Sequence, residues 1–167
     1  MKALIRVGIL TASDKGSIGE RMDTSSEVIR EIIESKGWCV TEYTIVPDDI
    51  EDIKQIMIDW CDHHKVDLIL TTGGTGFSRR DVTPEATNEI AERLVPGIAE
   101  AMRYYSLGIT KRAMLSRGIS AIRKSTLIIN LPGSPKGVKE NLEVVVDTLE
   151  HGIAILKDEE GECGIPV

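Results

Sequence analysis

The sequence VDLILTTGGTGFSRRDVTPEAT, residues 66–87, joins a short apolar run to a glycine-rich loop and then to a helix start. The apolar run is typical of a buried strand, and Thr83 followed by Pro84 is typical of an N-cap and a first helical position. The three glycines between them free the backbone for a close approach to another group. Such a loop either makes a sharp turn only or holds a ligand.

A second segment has the same pattern. Residues 126–137, TLIINLPGSPKG, run from an apolar strand through a glycine to Ser134 and Pro135, which again predict a helix start. In a parallel sheet both loops lie at the carboxyl ends of the strands, where open α/β sheets bind their ligands. The two loops together therefore favour one shared ligand cleft.

The rest of the chain alternates in the same way between branched apolar runs and helical periodicity, which predicts an α/β fold with a mainly parallel sheet. Strands are expected at residues 5–10 and 39–46. A helix is expected after Thr24, which has capping-box spacing to Glu27, and others after residue 50 and over 97–116 with an interruption at Gly108. We expect one domain, residues 1–156, and a loose tail, residues 157–167.

Composition narrows the classes of function. A net charge of −7 argues against a nucleic-acid binder, because non-specific affinity for nucleic acid comes mostly from Lys and Arg. No apolar run approaches the length of a membrane span, and the N-terminus reads as a strand rather than a signal peptide. The three cysteines are far apart and fit neither a disulfide framework nor a zinc site, so we expect a cytoplasmic protein. The three histidines do not form a metal triad and are expected to be structural.

An anionic ligand remains possible if positive charge is concentrated locally. Helix N-termini are ready anion sites, and threonine hydroxyls add donors. Four basic side chains near the two loops could add charge: Arg79, Arg80, Lys136 and Lys139. The loop is neither a Walker A motif nor a complete GxGxxG fingerprint, which disfavours a P-loop NTPase or a simple dinucleotide-binding domain.

Carboxylates occur near the ends of three predicted strands. Asp81 either pairs with a neighbouring arginine or binds Mg²⁺ together with substrate phosphates, for which hard oxygen ligands are suited. Asp48 is the best second carboxylate, although it or Asp49 could instead cap the following helix. Ser13 and Asp14 close the first strand at the same edge, as turn residues or as part of the site.

These motifs are similar to a known family. The segments TTGGTGFSRRDVTPEAT, AMLSR and STLIINLPGSPKG, with the early TASD and the VPD at 46–48, resemble the molybdopterin adenylyltransferases and their relatives, which include the G domain of gephyrin-type proteins. The likeness extends in order over nearly the whole chain. It implies a three-layer αβα fold, a homotrimer, and transfer of AMP from Mg·ATP to the terminal phosphate of molybdopterin with release of pyrophosphate. Hand-over of the product to a molybdenum insertase would follow.

The resemblance also implies roles for individual residues. Asp48 and Asp81 correspond to the two catalytic carboxylates that work with Mg²⁺. Substrate contacts are expected from both glycine-containing loops, the first-strand loop and the AMLSR segment: Ser13, Asp14, Thr71, Thr72, Gly73, Gly74, Thr75, Gly76, Ser116, Pro132, Gly133, Ser134 and Lys136. The chain ends soon after Lys157, where some adenylyltransferases continue. The alternative is therefore a paralogue of the same fold that binds molybdopterin, or presents it to a partner, without catalysis.

Overall fold

The computed structural model describes residues 4–158. Within this range six strands form one sheet: β1 (Arg6–Ala12), β2 (Cys39–Val46), β3 (Leu68–Thr72), β4 (Arg93–Leu94), β5 (Ser120–Arg123) and β6 (Thr126–Leu131). Their order across the sheet is β2-β1-β3-β6-β5-β4. The first four strands in this order are mutually parallel, whereas β5 runs antiparallel to β6 and β4 antiparallel to β5. The prediction of a mainly parallel sheet is confirmed.

Helices cover both faces of this sheet: α1 (Asp14–Ser17), α2 (Thr24–Ser35), α3 (Ile50–Asp59), α4 (Thr83–Ile90), α5 (Pro96–Leu107) and α6 (Pro135–Leu156). One apolar core joins the sheet to α2, α5 and α6, and a second core joins the opposite face to α3 and α4. Strands β3 and β6 are buried at every position, as expected for central strands covered on both faces. This is the expected three-layer αβα arrangement. No helix within residues 4–158 combines the length and apolarity needed to cross a membrane.

Two expected helix caps are wrong. Asp23, not Thr24, caps α2, because its carboxylate already accepts a hydrogen bond from the amide of Ser26. Thr83 lies within the first turn of α4 rather than before it, and its hydroxyl donates instead to the carbonyl of Gly73 at 3.0 Å. Ser134 does cap α6, accepting from the amide of Gly137.

The strand predictions need three corrections, one of which is that the short strand β4 was not expected. The first strand covers Arg6–Ala12 rather than residues 5–10, so its last residue reaches the carboxyl edge of the sheet. Strand β5 is not among the expected strands, because residues 117–125 are mostly polar. It forms a hairpin with β6 through Lys124 and Ser125, and Lys124 has a left-handed φ of 52°. Of the expected loose tail, only Lys157 and Asp158 fall within the described residues.

Candidate functional site

The two glycine-containing loops lie against each other, as predicted. Thr72 at the end of β3 pairs with Thr11 on one side and with Leu131 on the other. The parallel strands β1, β3 and β6 therefore end side by side at one edge of the sheet. A Cβ atom added to Gly133 would lie 3.4 Å from the Cα atom of Gly73. The carboxyl edge of the sheet therefore brings together segments that are far apart in sequence.

Two of the glycines are required by this close approach. Gly73 has a φ of +90°, and a Cβ there would overlap the carbonyl oxygen of Ala12. Gly74 has a φ of +69°, and a Cβ there would overlap the hydroxyl of Thr83. Because L side chains rarely adopt this backbone conformation, the loop can pack between β1 and α4 only with glycine at both positions.

One opening at this edge, which we call the carboxylate cavity, has a volume of about 490 Å³. Its walls come from the ends of β1 and β3, the start of α2, and the start of α6, and it contains the side chains of both Asp48 and Asp81. The lining residues are Thr11, Ala12, Ser13, Gly16, Arg21, Met22, Asp23, Thr24, Ser25, Asp48, Thr72, Gly73, Gly74, Asp81, Gly133, Ser134 and Pro135. The predicted convergence of the two carboxylates is confirmed.

Asp48 is held in this cavity by Asp14. The amide of Asp14 donates to the Asp48 carboxylate at 2.9 Å, and the amide of Asp48 donates to the Asp14 carboxylate at 3.0 Å. Arg80 in turn donates hydrogen bonds to both carboxylate oxygens of Asp14, from Nε at 3.0 Å and from Nη2 at 2.8 Å. Asp49 caps α3 with its own carboxylate, so capping does not occupy the side chain of Asp48.

The two carboxylates of this pair have opposite pKa shifts. The guanidinium of Arg80 and the Asp48 amide lower the pKa of Asp14. Burial raises the pKa of Asp48, and the charges of Asp14 and Asp81 raise it further against the opposing effects of the Asp14 amide and Arg80. A carboxylate that burial and like charges make costly to ionise gains the most from a cation beside it.

Asp81 approaches from the glycine loop. Its carboxylate accepts a hydrogen bond from the amide of Ser78 at 2.9 Å, and its own amide donates to the carbonyl of Ser78 at 3.0 Å. A Cβ added to Gly76 would lie 2.9 Å from the Asp81 carboxylate. The segment 76–81 therefore folds back so that Asp81 faces the cavity beside the glycines.

A second opening, which we call the apolar cavity, has a volume of about 430 Å³ and begins where the chain passes from Gly74 to Thr75. Its lining combines apolar side chains with a few polar groups: Thr75, Gly76, Phe77, Arg103, Ser106, Thr110, Arg112, Ala113, Leu115, Ser116, Pro132, Gly137, Glu140 and Asn141. Apolar walls with a few convergent polar groups are typical of sites for organic ligands.

The predicted site residues divide between the two cavities. The carboxylate cavity contains Ser13, Thr72, Gly73, Gly74, Gly133 and Ser134 beside the two aspartates, and the apolar cavity contains Thr75, Gly76, Ser116 and Pro132. Three predicted contacts, Asp14, Thr71 and Lys136, line neither cavity. Thr71 is fully buried and accepts from the Asn130 amide at 3.0 Å, and Lys136 extends into solvent near Glu140. Asp14 instead orients Asp48.

Other residues of the cavity wall were missed. Asp23 accepts from the hydroxyls of Thr11 and Tyr43, each at 2.6 Å. Burial opposes ionisation of Asp23, but these hydrogen bonds outweigh it and lower the pKa of the carboxyl. Arg21 lies in the same loop and also lines the carboxylate cavity. The sequence contains a signal for both residues. Their loop follows β1, and the carboxyl end of β1 lies at the same edge of the sheet as those of the other parallel strands.

Within residues 4–158 the histidines and cysteines line neither cavity. His63 and His64 are exposed and interact with Asp59 and Glu42. Cys61 is buried, and burial raises its thiol pKa to about 11, so this thiol is unreactive near neutral pH. Cys39 is a free thiol as well, whereas Cys163 is outside the described residues.

Comparison with known proteins shows the family to which the chain is similar. The family model described as "Probable molybdopterin binding domain" matches residues 8–151. Gephyrin from Dictyostelium discoideum is 48% identical over 160 residues, which cover 90% of this chain but 22% of gephyrin. Molybdopterin adenylyltransferase from Helicobacter pylori strain J99 is 40% identical over 154 residues, covering 91% of this chain and 88% of the relative.

The solved structures include a similar fold. The molybdopterin biosynthesis enzyme MoaB from Thermus thermophilus superimposes with a TM-score of 0.89 at 50% identity, over 93% of this chain and 98% of the other. Because the family model covers most of the sequence and both sequence and structure agree, the chain belongs to the probable molybdopterin binding domain family.

Proposed function

We propose that the protein transfers AMP from Mg·ATP to the terminal phosphate of molybdopterin, forming adenylylated molybdopterin and pyrophosphate. The observation that carries the proposal is the placement of Asp48 and Asp81 in one cavity with two glycine-containing loops, next to an apolar cavity. The adenylyltransferases among the relatives give independent support, since this chain aligns with most of their length.

The carboxylate cavity suits the triphosphate. The N-termini of α2 and α6 both open onto it, through Thr24 and Ser25 and through Ser134 and Pro135. Helix N-termini carry partial positive charge and unpaired amides, which favour phosphate oxygens. At Gly73 and Gly133 the main chain has no side chain, so a phosphate could approach it closely.

The apolar cavity suits the pterin. Phe77, Leu115 and Pro132 provide apolar surface for a flat ring, and Asn141 and Ser116 provide hydrogen-bonding groups for its heteroatoms. Arg103 and Arg112 add positive charge for an anionic substrate. Because Gly74 and Thr75 are consecutive but line different cavities, ligands in the two cavities would meet across this loop.

The residues present fit a magnesium ion brought in by the nucleotide. Asp48 and Asp81 would hold it through hard carboxylate oxygens, which Mg²⁺ prefers. Within residues 4–158 no three His, Cys, Asp or Glu side chains group as a metal site, so water and phosphate oxygens must complete the coordination. When bound, the ion neutralises charge on the phosphates that react and depart.

The reaction needs positioning rather than a protein nucleophile. An oxygen of the molybdopterin phosphate forms a bond to the α-phosphorus of ATP, and the bond from that phosphorus to the bridging oxygen of the β-phosphate breaks. Pyrophosphate leaves with the electron pair. The protein aligns the two anions and offsets their repulsion, which supplies most of the catalysis in phosphoryl-type transfer.

The test combines purified protein, molybdopterin, ATP and Mg²⁺, and identifies the adenylylated pterin by mass. Absence of this product with the wild-type protein would refute the proposal, and pterin binding without product would support the non-catalytic alternative. Asp48→Asn and Asp81→Asn should each lower turnover by roughly 10²-fold, because a charge at the reacting phosphates is lost. Asp49→Asn is the matched control for Asp48→Asn, because asparagine caps a helix as well as aspartate and turnover should persist.

The proposed function includes a homotrimer and hand-over of the product to a molybdenum insertase. Support for assembly comes from an apolar surface at the end of α5, where Tyr104 is 83% exposed beside Tyr105, Leu107 and Ile109. Exposed apolar surface of this kind is typical of interfaces. Light scattering should give a trimer mass for the wild-type protein and a lower mass for Tyr104→Glu; a monomeric wild-type protein would contradict it.

A further inference from the structure

One arginine outside the predicted site contacts both ends of the segment that carries Asp81. Arg117 lies between the 3₁₀ turn at Lys111–Leu115 and β5. Its Nε donates to the carbonyl of Gly76 at 2.7 Å, and its Nη2 donates to the carbonyl of Asp81 at 2.7 Å. Its backbone amide donates to the carbonyl of Thr75 at 2.9 Å.

The same side chain is anchored to a helix. Nη1 of Arg117 forms an ion pair with Glu85 in the first turn of α4. Burial opposes ionisation of Glu85, but the interaction with Arg117 outweighs it and lowers the pKa of the carboxyl, so the carboxylate stays charged near neutral pH. The guanidinium therefore ties residues 76 and 81 to a rigid element.

The segment between these two ends is exposed. Residues 77–80 all face solvent, and Phe77 is 71% exposed, so core packing does little to fix their path. The turn at Ser78 stabilises the segment only locally, and the long-range contact from Arg80 to Asp14 is an ion pair between exposed side chains. We infer that Arg117 is a positioning residue for Asp81, holding the ends of segment 76–81 so that this carboxylate faces the carboxylate cavity.

The contacts require an arginine. A guanidinium offers five donors in a planar fork and can bond two carbonyls and a carboxylate at once, whereas a lysine ammonium is a single point of charge. Arg117→Lys thus keeps the charge and removes the fork. A parallel exists at the other carboxylate, where Arg80 grips Asp14 and Asp14 orients Asp48. Each carboxylate of the site is thus oriented by an arginine that acts through a neighbouring group.

The chain offers a matched control in Arg123. This side chain on β5 also bonds a carboxylate and a carbonyl, namely Asp62 at 2.7 Å and Ile90 at 3.1 Å, but lines neither cavity. Arg123 and Arg117 are 21% and 33% exposed. Arg123→Lys therefore also removes the planar donor set of a partly buried guanidinium, but it leaves the contacts of segment 76–81 unchanged.

Hydrogen exchange and binding test the inference on the purified full chain. In Arg117→Lys, amide exchange over residues 77–82 should be about tenfold faster, and affinity for Mg·α,β-methylene-ATP should fall by about 10-fold to 100-fold, as for groups that orient metal ligands. Arg123→Lys should leave both unchanged. Equal exchange and affinity in the two variants would overturn the inference. If Arg117→Lys fails to fold, Glu85→Gln should give a smaller increase in exchange, and no increase would overturn it.

A kinetic consequence rests on the proposed function. In Arg117→Lys, kcat should fall while KM for molybdopterin changes little, because the pterin is assigned to the other cavity. Equal changes in both parameters would contradict a role through Asp81. If the wild-type protein forms no adenylylated product, the proposed function fails, while exchange and nucleotide binding still decide the role of Arg117.

Discussion

Gly74→Ala should destabilise the protein far more than an alanine at another left-handed glycine. Gly74 has a φ of +69°, and a Cβ there would overlap the hydroxyl of Thr83 and lie 3.3 Å from the Asp48 carboxylate. Gly37 has a similar φ of +76°, but a Cβ there meets nothing within 4 Å. The two variants share the backbone strain and differ in the packing of the loop.

The expected magnitudes follow from these contacts. The left-handed backbone alone costs an alanine about 1 kcal/mol, which is the full effect expected for Gly37→Ala. At Gly74 the new methyl group also displaces Thr83, which is fully buried and bonds the carbonyl of Gly73. Leaving buried polar groups unpaired costs roughly 1–3 kcal/mol more. We therefore expect Gly74→Ala to lower the free energy of unfolding by about 3 kcal/mol.

Urea unfolding followed by circular dichroism measures both free energies, at one protein concentration so that any assembly contributes equally. Thermal melts should show the melting temperature of Gly74→Ala about 4–8 °C below that of Gly37→Ala. If the two variants agree within about 0.5 kcal/mol, the loop is not packed against Thr83 as described.

Three further changes test the site. Because the pKa of Asp48 is raised in the protein without a bound cation, we expect kcat/KM, which reports the free enzyme, to fall as pH decreases through a value above the ordinary 3.8; an unshifted limb in the pH profile of kcat/KM would contradict this. Asn130→Ala removes an amide that donates to Thr71 and Thr87, each at 3.0 Å, and should cost about 2–4 kcal/mol in urea unfolding; a cost below about 1 kcal/mol would refute the buried network. Phe77→Ala should raise KM for molybdopterin about 3-fold to 10-fold at constant stability, and an unchanged KM would remove this side chain from the pterin site.

Hydrophobic pattern was sufficient to predict the architecture because long-range packing and local periodicity agree in this chain. Strands β3 and β6 are mostly apolar runs in sequence and fully buried strands in the structure. Strand β5 was not predictable in this way, since only two of its four residues are fully buried and its pairing depends on β6. The caps of α2 and α4 failed for two other reasons. At α2 the neighbouring Asp23 and Thr24 compete, and local sequence does not decide which oxygen reaches the free amide. At α4 no side chain caps the helix, because the hydroxyl of Thr83 donates to the carbonyl of Gly73 instead.

The site was predictable to the extent that it follows from strand ends. Asp48, Asp81 and the glycines each follow a strand, and parallel strands place their carboxyl ends at one edge. Arg117 could not be found in this way, because the guanidinium reaches residues 36 and 41 positions away in sequence. The sequence AMLSR marked Ser116 through family resemblance, but the neighbouring arginine gains its role only from tertiary contacts.

The proposed function requires an acidic protein to bind a triphosphate, so its own negative charge must be offset where the ligand would lie. The chain carries a net charge of −7, yet the carboxylate cavity opens onto two helix N-termini, and Arg80 neutralises Asp14 beside it. Asp48 has a raised pKa, which favours its neutral form in the folded protein. Its contribution to stability is therefore present below the ordinary pKa and lost as pH rises through the raised value.

At neutral pH the ionised Asp48 carboxylate is a source of repulsion that a bound cation relieves. Asp48→Asn should then make the metal-free protein more stable by about 0.5–2 kcal/mol in urea unfolding, the pattern expected where a functional group is kept although it destabilises the fold. The same variant should still lose turnover, because asparagine cannot supply the charge that holds the cation. If the metal-free Asp48→Asn protein is instead less stable than the wild type, the reasoning is refuted. The Asp48 carboxylate would then stabilise the fold through its hydrogen bond with the Asp14 amide, and charge repulsion would not be the larger effect.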